Sequence, residues 1–145
     1  MTIDPRTTDP IDPMGKLITE IRDDPGVFAI AAGRVSGQQR DTMAVPCVIV
    51  IDLGSSKVSS ESGVRRYSYG ARCYGPNAAT GDITAKQLAN AVVGAVGSRG
   101  PRRYATVGIY RSTEVSSGPV LIDPDTREPY VIVSLELAVV AGAMT

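Results

Sequence analysis

The spacing of apolar positions changes along the chain, and each change predicts an element. Met14, Leu17, Ile18 and Ile21 recur on one helical face. Asp12 is placed to cap that helix and Pro13 to open its first turn. Asp23-Asp24-Pro25 repeats the start signal, which predicts a second short helix over 25–32 with Phe28, Ala29 and Ala32 inward and Gly33 as its stop. Residues 36–44 read as loop. The run PCVIVIDLG (46–54) is β-branched and predicts a strand, followed by a long, mobile Ser-rich loop at 55–63. A two-residue period then predicts a strand over 64–75, with Arg65, Tyr67, Tyr69, Ala71, Cys73 and Gly75 on its more apolar, inner face. A helix follows over 77–97, capped by Thr80 or Thr84, with Ile83, Leu88, Val92, Val93 and Val96 as its stripe. Its small residues Ala85, Ala89, Gly94 and Ala95 let it lie close on a sheet. A basic turn (98–103) leads to a strand over 104–115, and a turn region (116–129) with room for a short strand at Val120–Ile122 leads to the last strand, 130–141. In that strand Val131, Val133, Leu135, Leu137 and Val139 share one face.

The order ααββαββ with hairpin-length links predicts an α+β fold: a four-stranded, mainly antiparallel sheet with helices packed on one face. The strands at 64–75 and 130–140 are partly apolar on both faces, so a neighbouring subunit is expected to cover the second one. Length supports one core: a flexible N-terminal arm (1–12) and a single domain (13–145). Antiparallel pairing of the first two strands sets positions summing to about 120 opposite each other, and so puts Cys47 near Cys73. The expected state is two reduced thiols packed as small hydrophobes; a disulfide is the alternative.

Composition narrows the chemistry. The core is aliphatic, with no Trp and one Phe. No apolar run approaches the roughly 20 residues of a membrane-spanning helix. The polar, Pro-rich start is unlike a secretory signal, which points to a cytoplasm as the place of synthesis. The absence of His removes the commonest general base and metal ligand. Asp123 and Asp125 form an acidic turn with too few oxygen ligands for a calcium loop. GSRGPRR follows a helix, where the dipole is wrong for phosphate. No catalytic, cofactor-binding or metal-ligating residue is assigned, and the reading is a structural protein rather than an enzyme.

Charge is balanced overall but uneven. Residues 57–111 carry Lys57, Arg65, Arg66, Arg72, Lys86, Arg99, Arg102, Arg103 and Arg111 against Glu61 and Asp82, a net of +7. From residue 114 onward Glu114, Asp123, Asp125, Glu128 and Glu136 stand against Arg127, a net of −4. Either the blocks interleave on folding, or they form opposed faces that dock subunits head to tail. Candidate interface residues are therefore Arg65, Arg66, Arg72, Arg99, Arg102 and Arg103 on the basic side and Glu114, Asp123, Asp125 and Glu128 on the acidic side. A basic nucleic-acid face is a third option, without the stacking aromatics such binders use.

Several segments together resemble a known family. They are Gly-Arg-Val (33–35) after a short helix, PCVIVID (46–52), the aromatic strand RYSYGARCYG (66–75), the helix AKQLANAVVGAV (85–96) and DTREPYVIVSLELAV (125–139). Over residues 14–140 this order is similar to the tail terminator, or tail completion, proteins of long-tailed phages. The resemblance implies a virion protein, assembled in the host cytoplasm, with no cofactor and no membrane partner. It implies a homo-oligomeric, six-membered ring on the head-proximal end of the tail tube, ending tube growth and receiving a head-side neck or stopper protein. DNA would cross its lumen only in transit. Another head–tail connector, a stopper or adaptor, and a nucleic-acid-binding module are the alternatives.

Overall fold

The computed structural model describes residues 13–37, 44–59, 64–97, 102–104 and 108–141. Helix α1 (Met14–Asp23) buries Leu17 and Ile21. Pro13 is its N-cap residue, without a side-chain bond to the helix; Asp12 lies outside the described residues. Asp24 caps α2 (Pro25–Ala31), its Oδ2 accepting from the backbone N–H groups of Gly26 at 3.0 Å and Val27 at 3.2 Å. The inward side chains of α2 are Val27 and Ala31. Phe28 is 57% exposed and Ala29 and Ala32 face solvent, so the expected inward set is wrong. A helix this short can bury only one i, i+4 pair, and side-chain size does not choose which. The helix ends as expected, with Ala32 at φ 51° and Gly33 at φ 83°.

The sheet has six strands, not the expected four: β1 (Val35–Ser36), β2 (Cys47–Ser59), β3 (Val64–Tyr74), β4 (Arg102–Tyr104), β5 (Gly108–Ile122) and β6 (Pro129–Ala141). Their order is β1-β2-β3-β6-β5-β4. Every pairing is antiparallel except β1 with β2, so the sheet is mixed. The Ser-rich stretch expected to be loop from residue 55 instead continues β2 to Ser59, paired with β3. The basic turn ends in β4, and the segment around Val120 is the far end of β5 rather than a separate strand.

Helix α3 (Gly81–Gly97) starts four residues later than its composition suggests, because Pro76 to Thr80 form turns. It buries Ala85, Leu88, Ala89, Val92, Ala95 and Val96, while Ile83 is 52% exposed and leaves the expected stripe. The small residues do let it approach the sheet, where it packs on β3, β5 and β6 with α1 and α2 beside it. The core between helices and sheet takes Tyr67, Tyr69, Ala71 and Cys73 from β3 and Val131, Val133, Leu135, Leu137 and Val139 from β6. Those are the faces that the two-residue period assigned.

Candidate interaction surface

The three described helices pack on one side of the sheet, so the alternate side chains of each strand form a second face. On it, β2 contributes Cys47, Ile49, Ile51 and the bulged Leu53. From β3 come Tyr74, Arg72, Gly70, Ser68 and Arg66, and opposite them from β6 come Tyr130, Ile132, Ser134, Glu136 and Ala138. Strand β5 adds Leu121, Ser116 and Glu114.

One end of this face is apolar and aromatic. Cys47, Ile49 and Tyr74 are buried there in a small cluster with Val45, Ile51 and Tyr130 packed against it. The ring centroids of Tyr74 and Tyr130 are 5.1 Å apart. Arg72 lies with its guanidinium 5.6 Å from the Tyr130 centroid, and it hydrogen-bonds the Tyr74 side chain. Its Nε is buried and finds no hydrogen-bond partner among the described residues. Burial raises the Tyr74 phenol above its usual range, Arg72 pulls against that shift, and Asp123 and Tyr130 add to it. The segment before β2 is tied down by Arg34, whose Nε donates to the Pro46 carbonyl at 2.9 Å.

The other end is polar. Arg66 Nη1 donates to Glu136 Oε1 at 2.9 Å, and the Thr113 hydroxyl donates to the same oxygen at 2.9 Å. Glu114 is exposed directly across from Glu136. Between the two ends, Gly70, Ser134 and Ser116 make a row of small residues across three strands. Ser134 and Ser116 of that row line an open trough of about 260 Å³ bordered by Leu53, Ser68, Glu114 and Glu136. Leu53 is 59% exposed and stands over Gly70.

Of the ten residues proposed from charge, six have described side chains: Arg66, Arg72, Glu114, Asp123, Asp125 and Glu128. Strand β3 pairs with β6, and Arg66 meets Glu136 within the chain. Both side chains of this pair are partly exposed, at 42% and 31%. Removing the charge in Glu136→Gln is expected to cost under about 1 kcal/mol in urea unfolding. Arg72 belongs to the aromatic end. Asp123 folds into its own turn, its Oδ1 accepting from the N–H groups of Asp125 at 2.8 Å and Thr126 at 3.2 Å. Asp125 is exposed and Glu128 is buried. Arg65, Arg102 and Arg103 stand on β3 and β4, with side chains outside the described set, and Arg99 lies outside the described residues. Sequence reading missed Leu53 and Tyr130 as surface-forming residues. The alternation of β3 and β6 already placed Tyr74 and Tyr130 on the face opposite the helices.

The cysteines are not in a disulfide, and both are buried. The register pairs Cys47 with Tyr74 and Val48 with Cys73, a sum of 121. That single step turns the two thiols to opposite faces, Cys73 into the main core and Cys47 into the small cluster. Burial pushes the Cys73 thiol far above its ordinary value of 9.0, and Cys47 adds in the same direction. The unfolded thiol ionises near that value while the native one stays protonated. Stability must therefore fall as pH rises past it. Above about pH 9.5 this group alone is expected to remove on the order of 1 kcal/mol per pH unit. Urea melts of the wild type and of Cys73→Ala should differ by that slope.

Among the described residues no group of three His, Cys, Asp or Glu side chains converges to hold a metal, and no described helix is long and apolar enough to cross a membrane. Compared with known proteins, the chain matches no family model and no curated protein.

Proposed function

We propose that this chain is a non-enzymatic structural subunit of a phage virion, a tail terminator that closes into a six-membered ring at the head-proximal end of the tail tube. The ring ends tube growth, receives a head-side neck or stopper protein, and lets DNA pass through its lumen. The observation that carries the subunit reading is the sheet's second face, which no described helix covers. It presents the half-buried Arg72 stacked on the half-buried Tyr130, residue types that anchor protein interfaces, beside the exposed Leu53. The phage reading rests on the order of segments from residue 14 to 140 described above. Closing a ring takes two different patches per subunit, and this face supplies one.

A stopper or adaptor would share the class and differ in its neighbour. The nucleic-acid reading is weakened by the ion pair of Arg66 with Glu136, which occupies one of its basic side chains. Native mass spectrometry tests the proposal. Hexamers, with no salt-dependent DNA retardation by the free subunit, are the expected result. Monomers that bind DNA with a steep salt dependence would favour the nucleic-acid module instead.

A further inference from the structure

On the helix side of the sheet, the flank between α3 and β5 is left open. Along α3, Ile83, Lys86, Asn90, Val93 and Gly97 fall on one helical stripe. A Cβ added at Gly97 would meet Val93 and Val115, so this stripe is the side of α3 turned toward β5. At the other end of the helix a Cβ added at Gly81 would meet Pro129, which pairs with Ile122. Helix and strand therefore run side by side in opposite directions. On β5, Val115, Val120 and Ile122 lie on the helix-facing side, across from Leu135, Val131 and Pro129. Ile83 and Ile122 are both more than half exposed, and Val93, Val115 and Val120 are half-buried. Strand β4 pairs with β5 only from Gly108 to Tyr110, so beyond Tyr110 no described strand lies outside β5. The flank is an apolar groove of roughly 20 Å, the helical rise from Ile83 to Gly97.

The first 12 residues, which lie outside the described set, match this groove in chemistry and in length. Ile3 and Ile11 are eight residues apart. Pro5, Pro10 and Pro13 favour extended backbone at Asp4, Asp9 and Asp12 before them. At about 3.1 Å per residue an extended, proline-punctuated segment sets the two isoleucines roughly 25 Å apart. That is close to the span between the Ile83–Ile122 end of the groove and its Val93–Val115 end. Asp4 and Asp9 then fall between the two anchors, and Lys86 stands exposed on the helix wall of the groove. The opposite charges complement each other.

The arm and the groove belong to opposite edges of the subunit. The arm leads into α1, whose side chains Met14 and Ile18 lie where a Cβ on Gly37 would also meet the Val50 carbonyl, beside β1 and β2. The groove lies past α3 at the β5 side. A head-to-tail contact joins two different edges of one subunit to those of its neighbours.

We propose that the groove between α3 and β5 binds the N-terminal arm (1–12) of a neighbouring copy. The choice of a neighbouring copy rests on the head-to-tail ring reading above, and the arm and its groove supply a pair of complementary patches for that contact.

Disulfide cross-linking between full-length chains tests it. One chain carries Ile3→Cys, and the other carries Ile122→Cys or Val93→Cys, at the two ends of the groove. Both native cysteines are buried, and unsubstituted chain treated identically is the control. After oxidation with copper phenanthroline, one of the two mixtures is expected to give at least tenfold more covalent dimer than the control. Adding Ile83→Asp to the groove chain should cut that yield at least fivefold, with circular dichroism melts confirming that the variant folds. Background yield at both groove positions overturns the proposal, and so does a yield indifferent to Ile83→Asp. A chain carrying Ile3→Cys and a groove cysteine together that cross-links only within itself overturns it too, since the arm then fills its own groove. Six-fold rings that form without the cross-link would leave the ring standing and remove the arm contact. Cross-linked chains that never close into six-fold rings would keep the arm contact and remove the terminator reading.

Discussion

Gly75→Ala is expected to lower stability by about 3 kcal/mol and the melting temperature by roughly 10 °C. Gly75 ends the register of β3 with its N–H donating to the Pro129 carbonyl at 2.9 Å. A Cβ placed there would overlap the carbonyl of Gly81, and a Cβ at Gly81 would overlap the carbonyl of Pro76. The obstructing atoms are backbone on both sides, so no rotamer change relieves them. The first turn of α3 would have to lift off the end of β3, carrying Ala85 out of the core with it. Gly15 is the control: no atom lies within 4 Å of its added Cβ, and Gly15→Ala should be neutral or slightly stabilising in the same thermal melt.

Tyr69→Ala is expected to cost about 3 to 5 kcal/mol in urea unfolding. Tyr69 is fully buried at the centre of β3, the strand between β2 and β6. Its ring lies 6.3 Å from that of Tyr67, nearly parallel, on the helix-facing side. In a core that is aliphatic apart from this tyrosine pair, with no Trp to share the volume, losing one large ring leaves a cavity that neighbouring valines and leucines cannot close. Tyr69→Phe keeps the ring and should cost far less. Comparable losses in the two variants would place the ring outside the core.

How well sequence reading located these features depended on how many cues agreed. In β3 and β6 the two-residue period, β-branched content and turn signals coincide, and their core faces were legible position by position. Segment 55–59 lacks an apolar period, so composition reads it as loop while backbone pairing with β3 makes it strand. In α2 the largest side chain, Phe28, was assigned inward, yet the neighbour contacts of Val27 and Ala31 decide the orientation. The charge blocks were visible as sequence, but their meaning depended on strand order. Because β3 pairs with β6, Arg66 of the basic block becomes a cross-strand neighbour of Glu136 of the acidic one. Leu53 drew no attention because it reads as one more residue of an apolar run. Only the register shift between Asp52 and Gly54 puts it over Gly70, where it becomes an exposed knob. The candidate surface is thus a product of register and bulges, which local sequence signals specify weakly.

The terminator proposal is tested most directly by negative-stain electron microscopy of the purified chain at high concentration, in low and high salt, with tail tubes added. The account predicts six-fold rings, and caps on one end only of each tube. Featureless monomers under every condition, with both tube ends bare, would contradict it.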